Sequence, residues 1–225
     1  KFNIDLDDKT TKEMLKNWKE EFLCDLFGLV LMGPSFLAAH QSLLSAMDPS
    51  GNHLSLTHPP SSCRFSMLKT ALNTLCWDTP PLGIDKETRH AFDEFWQALD
   101  NGPYPQWATV FDSSQIQQAT QALVGLLNET QSTFKPPSAP EMVHPFKAIC
   151  SLTPPICESV DVNHNCVLNR LDFRTILFLG WMAWHSGVIN KNKVLFLDIN
   201  RLCDRAILHQ EAVQLQLDAS KEAES

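Results

Sequence analysis

Apolar positions recur at helical spacing along most of the chain. Met14, Trp18, Phe22, Leu26 and Leu29 form one such stripe, the pattern of a helix with a single buried face. Thr10 followed by Glu13 has the form of a capping box ahead of it. Pro34 suits the first turn of a second helix, from Ser35 to Met47. Residues 48–60, with Pro49, Gly51 and Pro59-Pro60, read as a loop. Ser61 or Ser62 then caps a helix ending at Cys76 or Trp77. Asp85 to Leu99 is amphipathic through Ala91, Phe92, Phe95 and Leu99. Ser113 or Ser114 caps a helix from Gln115 to Asn128, with Ile116, Ala119, Leu123 and Leu126 on its inner face.

Pro136, Pro137 and Pro140 interrupt this succession and mark the expected joint between two parts, 1–135 and 136–225. Beyond the joint, Ser138 with Glu141 caps a short helix to Ser151. An apolar helix carrying Trp181 and Trp184 is expected from Asn169 to Trp184, and a last amphipathic helix from Val194 to Ala219. No extended run alternates apolar and polar residues. The expected fold is mainly α, a compact body of about eight helices with little or no β-sheet.

Composition narrows the function classes. The 225 residues are 44% hydrophobic and 20% charged, enough apolar content for a packed core. The net charge of −8 and the scattered Lys and Arg argue against a nucleic-acid or anionic-membrane surface. The longest uncharged apolar stretch, Leu26 to Ala39, is well short of the ~20 residues that span a bilayer and contains Gly33-Pro34, so no membrane insertion is expected. Seven cysteines without a C-x-x-C read as buried reduced thiols in a cytoplasmic protein. The first residue is Lys1, so the chain is expected to be a piece of a longer polypeptide.

Candidate chemistry begins at the seam where the first helix turns apolar. Glu20, Glu21 and Asp25 stand there, and Glu21 and Asp25 are one turn apart on the same face. Asp25 lies among Phe22, Leu23, Cys24, Leu26 and Phe27, where a carboxylate is costly unless something pairs with it. The bland alternative is a solvated acidic face. Downstream, His58-Pro59 is followed by Arg64 at the start of another apolar helix. The ordered set E-x-x-x-D, Gly-Pro and H-P-x-x-x-x-R resembles the segment that follows the zinc-binding helix in gluzincin-type metallopeptidases. The likeness is to the group of the heat-shock membrane proteases and the CAAX prenyl endopeptidases. It runs from Lys16 to about Leu75.

The resemblance implies that Glu21 is the third zinc ligand and that Asp25 orients a ligand histidine. It implies that His58 and Arg64 pack beside the site, and that the substrate is a protein or peptide. The H-E-x-x-H that supplies two ligand imidazoles and the general base is not formed by any of the eight histidines. The site would need an upstream segment or a second chain, and this chain alone is not expected to hydrolyse peptides. The rival is a non-catalytic helical scaffold or protein-interaction domain, with or without one structural calcium ion. Whether the chain belongs to an enzyme stays open between the two.

The calcium candidate is the run from Asp161 to Asp172. Asp161, Asn163 and Asn165 fit positions 1, 3 and 5 of a calcium loop, the Val167 carbonyl position 7, Asn169 position 9 and Asp172 position 12. Cys166 replaces the usual glycine. The alternative is a polar turn in which Asn169 caps the next helix and Asp172 sits in its first turn. His185 is expected at a helix C-terminus, favoured by the dipole and by free carbonyls. Neither a glycine-rich phosphate loop nor a G-x-S-x-G elbow is present.

Overall fold

The structure is a computed structural model describing residues 8–53, 55–100, 112–130, 133–155, 157–160, 166–169, 171–191 and 193–224. Among the described residues there are eight helices and one two-stranded antiparallel ribbon, so the fold is all-α apart from that ribbon. The chain divides into two units. The first holds residues 1–79 and 101–135, the second 80–100 and 136–225.

In the first unit α1 (Asp8–Met32), α2 (Pro34–Met47), α3 (Ser61–Leu75) and α5 (Ser113–Asn128) pack around α1. The stripe Met14, Trp18, Phe22, Leu26 and Leu29 is buried, as are Leu37, Leu44, Phe65, Leu68 and Leu72 facing it. Helix α1 ends at Gly33, whose φ of 70° is the left-handed conformation that glycine adopts at least cost. A Cβ there would also run into the Phe134 ring. Pro34 then opens α2 at its first turn. The loop after α2 is tied down at several points. Trp18 Nε1 donates to the Ser55 carbonyl at 3.0 Å, and the Ser62 hydroxyl to the Gly51 carbonyl at 2.5 Å. Asp48 accepts from Ser50 and from the His53 amide.

Helix α5 begins at Ser113, one or two residues earlier than a serine cap requires. Asp112 is its N-cap, in a capping box with Gln115. Its inner face is Ile116, Thr120 and Leu127, while Leu126, expected inside, is 61% exposed. The Thr120 hydroxyl is buried because it can donate to the Ile116 carbonyl a turn back.

In the second unit α4 (Lys86–Asp100), α6 (Ala139–Cys150), α7 (Phe173–His185) and α8 (Phe196–Glu224) enclose a second core. Helix α4 was expected with the first part of the chain. Phe92 and Phe95 instead stack edge-on against Phe178 of α7, which places α4 here. The cut at 135/136 is therefore one of three points where the chain passes between units. Ser138 and Glu141 form the expected capping box of α6. A short hairpin pairs β1 (Cys157–Val160) with β2 (Cys166–Asn169), in the register Cys157 to Asn169 and Val160 to Cys166. Strand β2 falls within the run that reads on sequence as a calcium loop or polar turn, and its last residue, Asn169, is the expected start of α7. That helix starts at Phe173 because the Asp172 carboxylate accepts from the Arg174 amide and caps it. Trp181 and Trp184 of α7 both pack on Phe196 of α8. No described helix is long and apolar enough to cross a membrane.

Candidate functional site

The first unit brings several charged groups together beside the middle of α1. The three acids expected at the helix seam separate into two classes. Glu20 faces outward and is 3.7 Å from Lys16 on the same helix, a surface pair that contributes little. Asp25 is 4% exposed. Four residues before it, Glu21 is 28% exposed on its side chain.

Arg64 reaches Asp25 from the first turn of α3. Its Nε donates to Asp25 Oδ2 at 2.7 Å and its Nη2 to Oδ1 at 2.6 Å, a bidentate fork across 39 residues of sequence. The same Nη2 is 3.1 Å from Glu21 Oε1. His58, ahead of α3, places Nδ1 3.4 Å from that Glu21 oxygen. Pro59 and Pro60 fix the entry of α3, and Pro60 is its N-cap residue, so the H-P-P segment sets both His58 and Arg64 relative to α1. One guanidinium thus bridges both carboxylates, and one imidazole shares the outer one.

Sequence reasoning missed His40. It lies on α2, 7% exposed, stacked on Phe36 with ring centroids 5.1 Å apart. Its Nε2 is 3.5 Å from Asp25 Oδ1 but makes no hydrogen bond. Asp25 therefore has two cationic or imidazole neighbours, and Arg64 is the one that holds it. Asp25 was expected to orient a ligand histidine; its bonded partner is Arg64, which already occupies both oxygens.

The electrostatics follow from this geometry. Burial raises the Asp25 carboxyl, but the adjoining His40 and Arg64 pull it down further, and it lies below its ordinary value. Burial lowers Arg64, while the Asp25 carboxylate, and after it Glu21, raise it to a net upward shift. The pair is charged at every physiological pH.

Glu21, His40, His58 and Arg64 line one cleft of about 400 Å³, together with Leu43, Leu44, Met47, Asp48 and Pro59. Among the described residues no group of three or more His, Cys, Asp or Glu is arranged to hold a metal ion. Glu21 offers a single carboxylate there, and its Oε1 is shared with Arg64 and His58.

The candidate calcium residues do not come together as a described site. Asp161, Asn163 and Asn165 lie outside the described residues. Val167 and Asn169 are on β2, paired with Ser159 and Cys157. Asp172, expected at position 12, spends its carboxylate on Arg174, both as a helix cap and as an ion pair. The capping residue of α7 is thus Asp172 rather than Asn169.

His185 does close α7, but aromatic packing is what holds it. It stacks on Trp181 and meets Phe95 edge-on. Burial, helped by Lys191, keeps its pKa below the ordinary value, the opposite of what a dipole-held cation would show. The thiols are also mixed: Cys63 and Cys203 are buried, while Cys24 and Cys76 are exposed.

Comparison with protein-family models, with curated proteins and with solved structures returned no significant match.

Proposed function

We propose that the chain is the part of a zincin-like metallopeptidase that follows its H-E-x-x-H helix. Glu21 supplies the third zinc ligand, and Asp25 with Arg64 fixes the turn of α1 that presents it. The H-E-x-x-H comes from polypeptide outside these residues, upstream or on a second chain, and the substrate is a protein or peptide handled in the cytoplasm. One observation supports this reading above the rest. Glu21, Asp25, His58 and Arg64 belong to two segments of the resemblance, 39 residues apart, and they meet in space through Arg64. A helix that merely carried a solvated acidic face would not bury Asp25 to 4% exposure.

A bound zinc ion would polarise the substrate carbonyl and acidify its water. The residues of this chain contribute position and charge. Arg64 takes the negative charge of Asp25 and fixes the α1–α3 spacing, which leaves the second Glu21 oxygen to a ligand. His58, 60% exposed on its side chain, stands where it can donate to a bound peptide.

A second reading is a non-catalytic helical interaction domain. The 3.1 Å contact of Arg64 with Glu21 favours it, because a guanidinium already neutralises the proposed ligand. Zinc content separates the two. The natural polypeptide from which these residues come is purified as wild type and as Glu21→Gln. The metallopeptidase reading expects about one zinc per wild-type chain and at least about tenfold weaker binding in the variant. Zinc held equally by both, or by neither, contradicts it.

A further inference from the structure

The chain carries a net charge of −8, yet three of its cations gather around one cleft of the second unit. Lys193 lies just ahead of α8, and Arg201 and Arg205 stand one turn apart on it. Like charges at that spacing repel. The one acid lining the cleft is Asp198, and its carboxylate is partly spent at the start of the helix. Its Oδ2 accepts from the Leu195 amide at 3.0 Å, while its Oδ1 is 3.7 Å from Arg201 Nη1. Among the described residues Lys193 and Arg205 have no ion-pair partner. Lys191, two positions before Lys193, is by contrast taken up over the Trp184 ring at 4.9 Å. The lining also includes Leu152, which follows α6 in the left-handed conformation with a φ of 57°. Its amide donates to the Ile149 carbonyl at 2.9 Å, and Thr153 ties back to the Ala148 carbonyl through both its amide and its hydroxyl, so the backbone that carries Leu152 is fixed.

We propose that this cleft binds the phosphate group of a small phosphate monoester. Three observations carry it. The cations outnumber the carboxylate by a formal balance of two positive charges, which a phosphate monoester of about −1.5 to −2 near pH 7 neutralises and a carboxylate does not. The donors are two guanidinium forks and an ammonium, the groups that bind phosphate oxygens, and all three residues are exposed to an incoming ligand. The volume of about 280 Å³ admits a phosphate and a few further atoms, for which Leu152, Val194 and Leu202 supply apolar contact. A nucleic-acid backbone or an anionic bilayer needs a longer array of cations than these three. The site lies wholly within the second unit and does not rest on the metallopeptidase reading.

The test titrates phenyl phosphate, benzoate and inorganic phosphate into the whole chain at one low ionic strength. Heat of binding gives the affinities, and amide signals in nuclear magnetic resonance locate the site. Phenyl phosphate is expected to bind saturably and to move the signals of Lys193, Arg201 and Arg205. It is expected to bind at least about tenfold more tightly than benzoate, which carries the same ring on a carboxylate, and at least about threefold more tightly than inorganic phosphate. Lys193→Gln and Arg205→Gln, both at exposed positions, are expected to leave thermal unfolding unchanged and each to weaken phenyl phosphate about fivefold or more. Lys12→Gln, exposed in the first unit, is expected to bind as wild type does. No saturable binding, benzoate held as tightly as phenyl phosphate, or equal losses in Lys12→Gln and Arg205→Gln overturns the proposal. Inorganic phosphate held as tightly as the ester also overturns it, because the apolar lining then takes no part. The signal changes on the wild-type chain keep the test decisive even where a variant folds poorly: perturbations centred away from Lys193, Arg201 and Arg205 contradict the site.

Discussion

Asp25 shows how a single side chain can be expensive and retained. Burying a carboxylate costs several kcal/mol unless its lone pairs are filled. Arg64 fills them with a planar fork, which a lysine would not reproduce. Because the folded-state pKa of Asp25 is depressed below 3.8, the group contributes stability that is fully present above that value. That contribution disappears as pH falls through the lower, folded pKa. Asp25→Asn is therefore expected to lose stability at pH 7 and to show a flatter dependence than wild type below pH 3.8, read by denaturant unfolding across a pH series. A variant whose acid profile matches wild type would show that Asp25 is not the titrating partner. His40 was illegible in the sequence for a physical reason. A lone imidazole fifteen positions from Asp25 has no helical spacing to it, and only the packing of α2 on α1 brings the two within 3.5 Å.

At the scale of elements, the helices were largely legible because their ends carry their own signals. Pro34 opens α2, and Ser138 with Glu141 caps α6. What periodicity alone could not settle was where a short apolar run stops being helix. Cys166–Asn169 reads on sequence as part of a polar loop; it pairs as a strand with Cys157–Val160, and α7 starts later than expected, with Asp172 rather than Asn169 as its cap. Helix α4 shows a local cap joined to a tertiary contact. Asp85 accepts from the Thr88 amide at 2.9 Å, and its other oxygen is 2.8 Å from Lys147 of α6. The hydrogen bond from Lys147, and next that from the Thr88 amide, push the Asp85 carboxyl down to about 2. Asp85→Ala is expected to cost about 1 kcal/mol in thermal or denaturant unfolding, the typical value of a lost N-cap. Helices α7 and α8 approach closely at Gly180, where an added Cβ would lie 2.8 Å from Cys203 Sγ and 3.5 Å from Ile199. Gly180→Ala is expected to destabilise by about 1–3 kcal/mol, since the packed sulfur must move. A neutral or stabilising effect in denaturant melts would show that α8 can shift to accept the methyl.

For the whole molecule, the proline cluster after Lys135 marks one crossing between the two units, while Phe92 and Phe95 decide to which unit α4 belongs. Local composition can signal the first. The second is a matter of which aromatic faces meet, and no window of sequence contains it. The candidate site shows the same division. Its members could be read as an ordered set along the chain, but their junction is a tertiary event, in which Arg64 of α3 pairs with both Asp25 and Glu21 of α1. The proposed zinc ligand depends on that junction, so it is the central claim. It is tested most directly by a double-mutant cycle in urea on wild type, Asp25→Leu, Arg64→Met and the double variant. Each single substitution is expected to cost about 3–5 kcal/mol, because it strands a buried charge. The double variant should cost less than the sum of the two, with a coupling of about 2–3 kcal/mol. Additive losses, with a coupling within about 0.5 kcal/mol of zero, would contradict it.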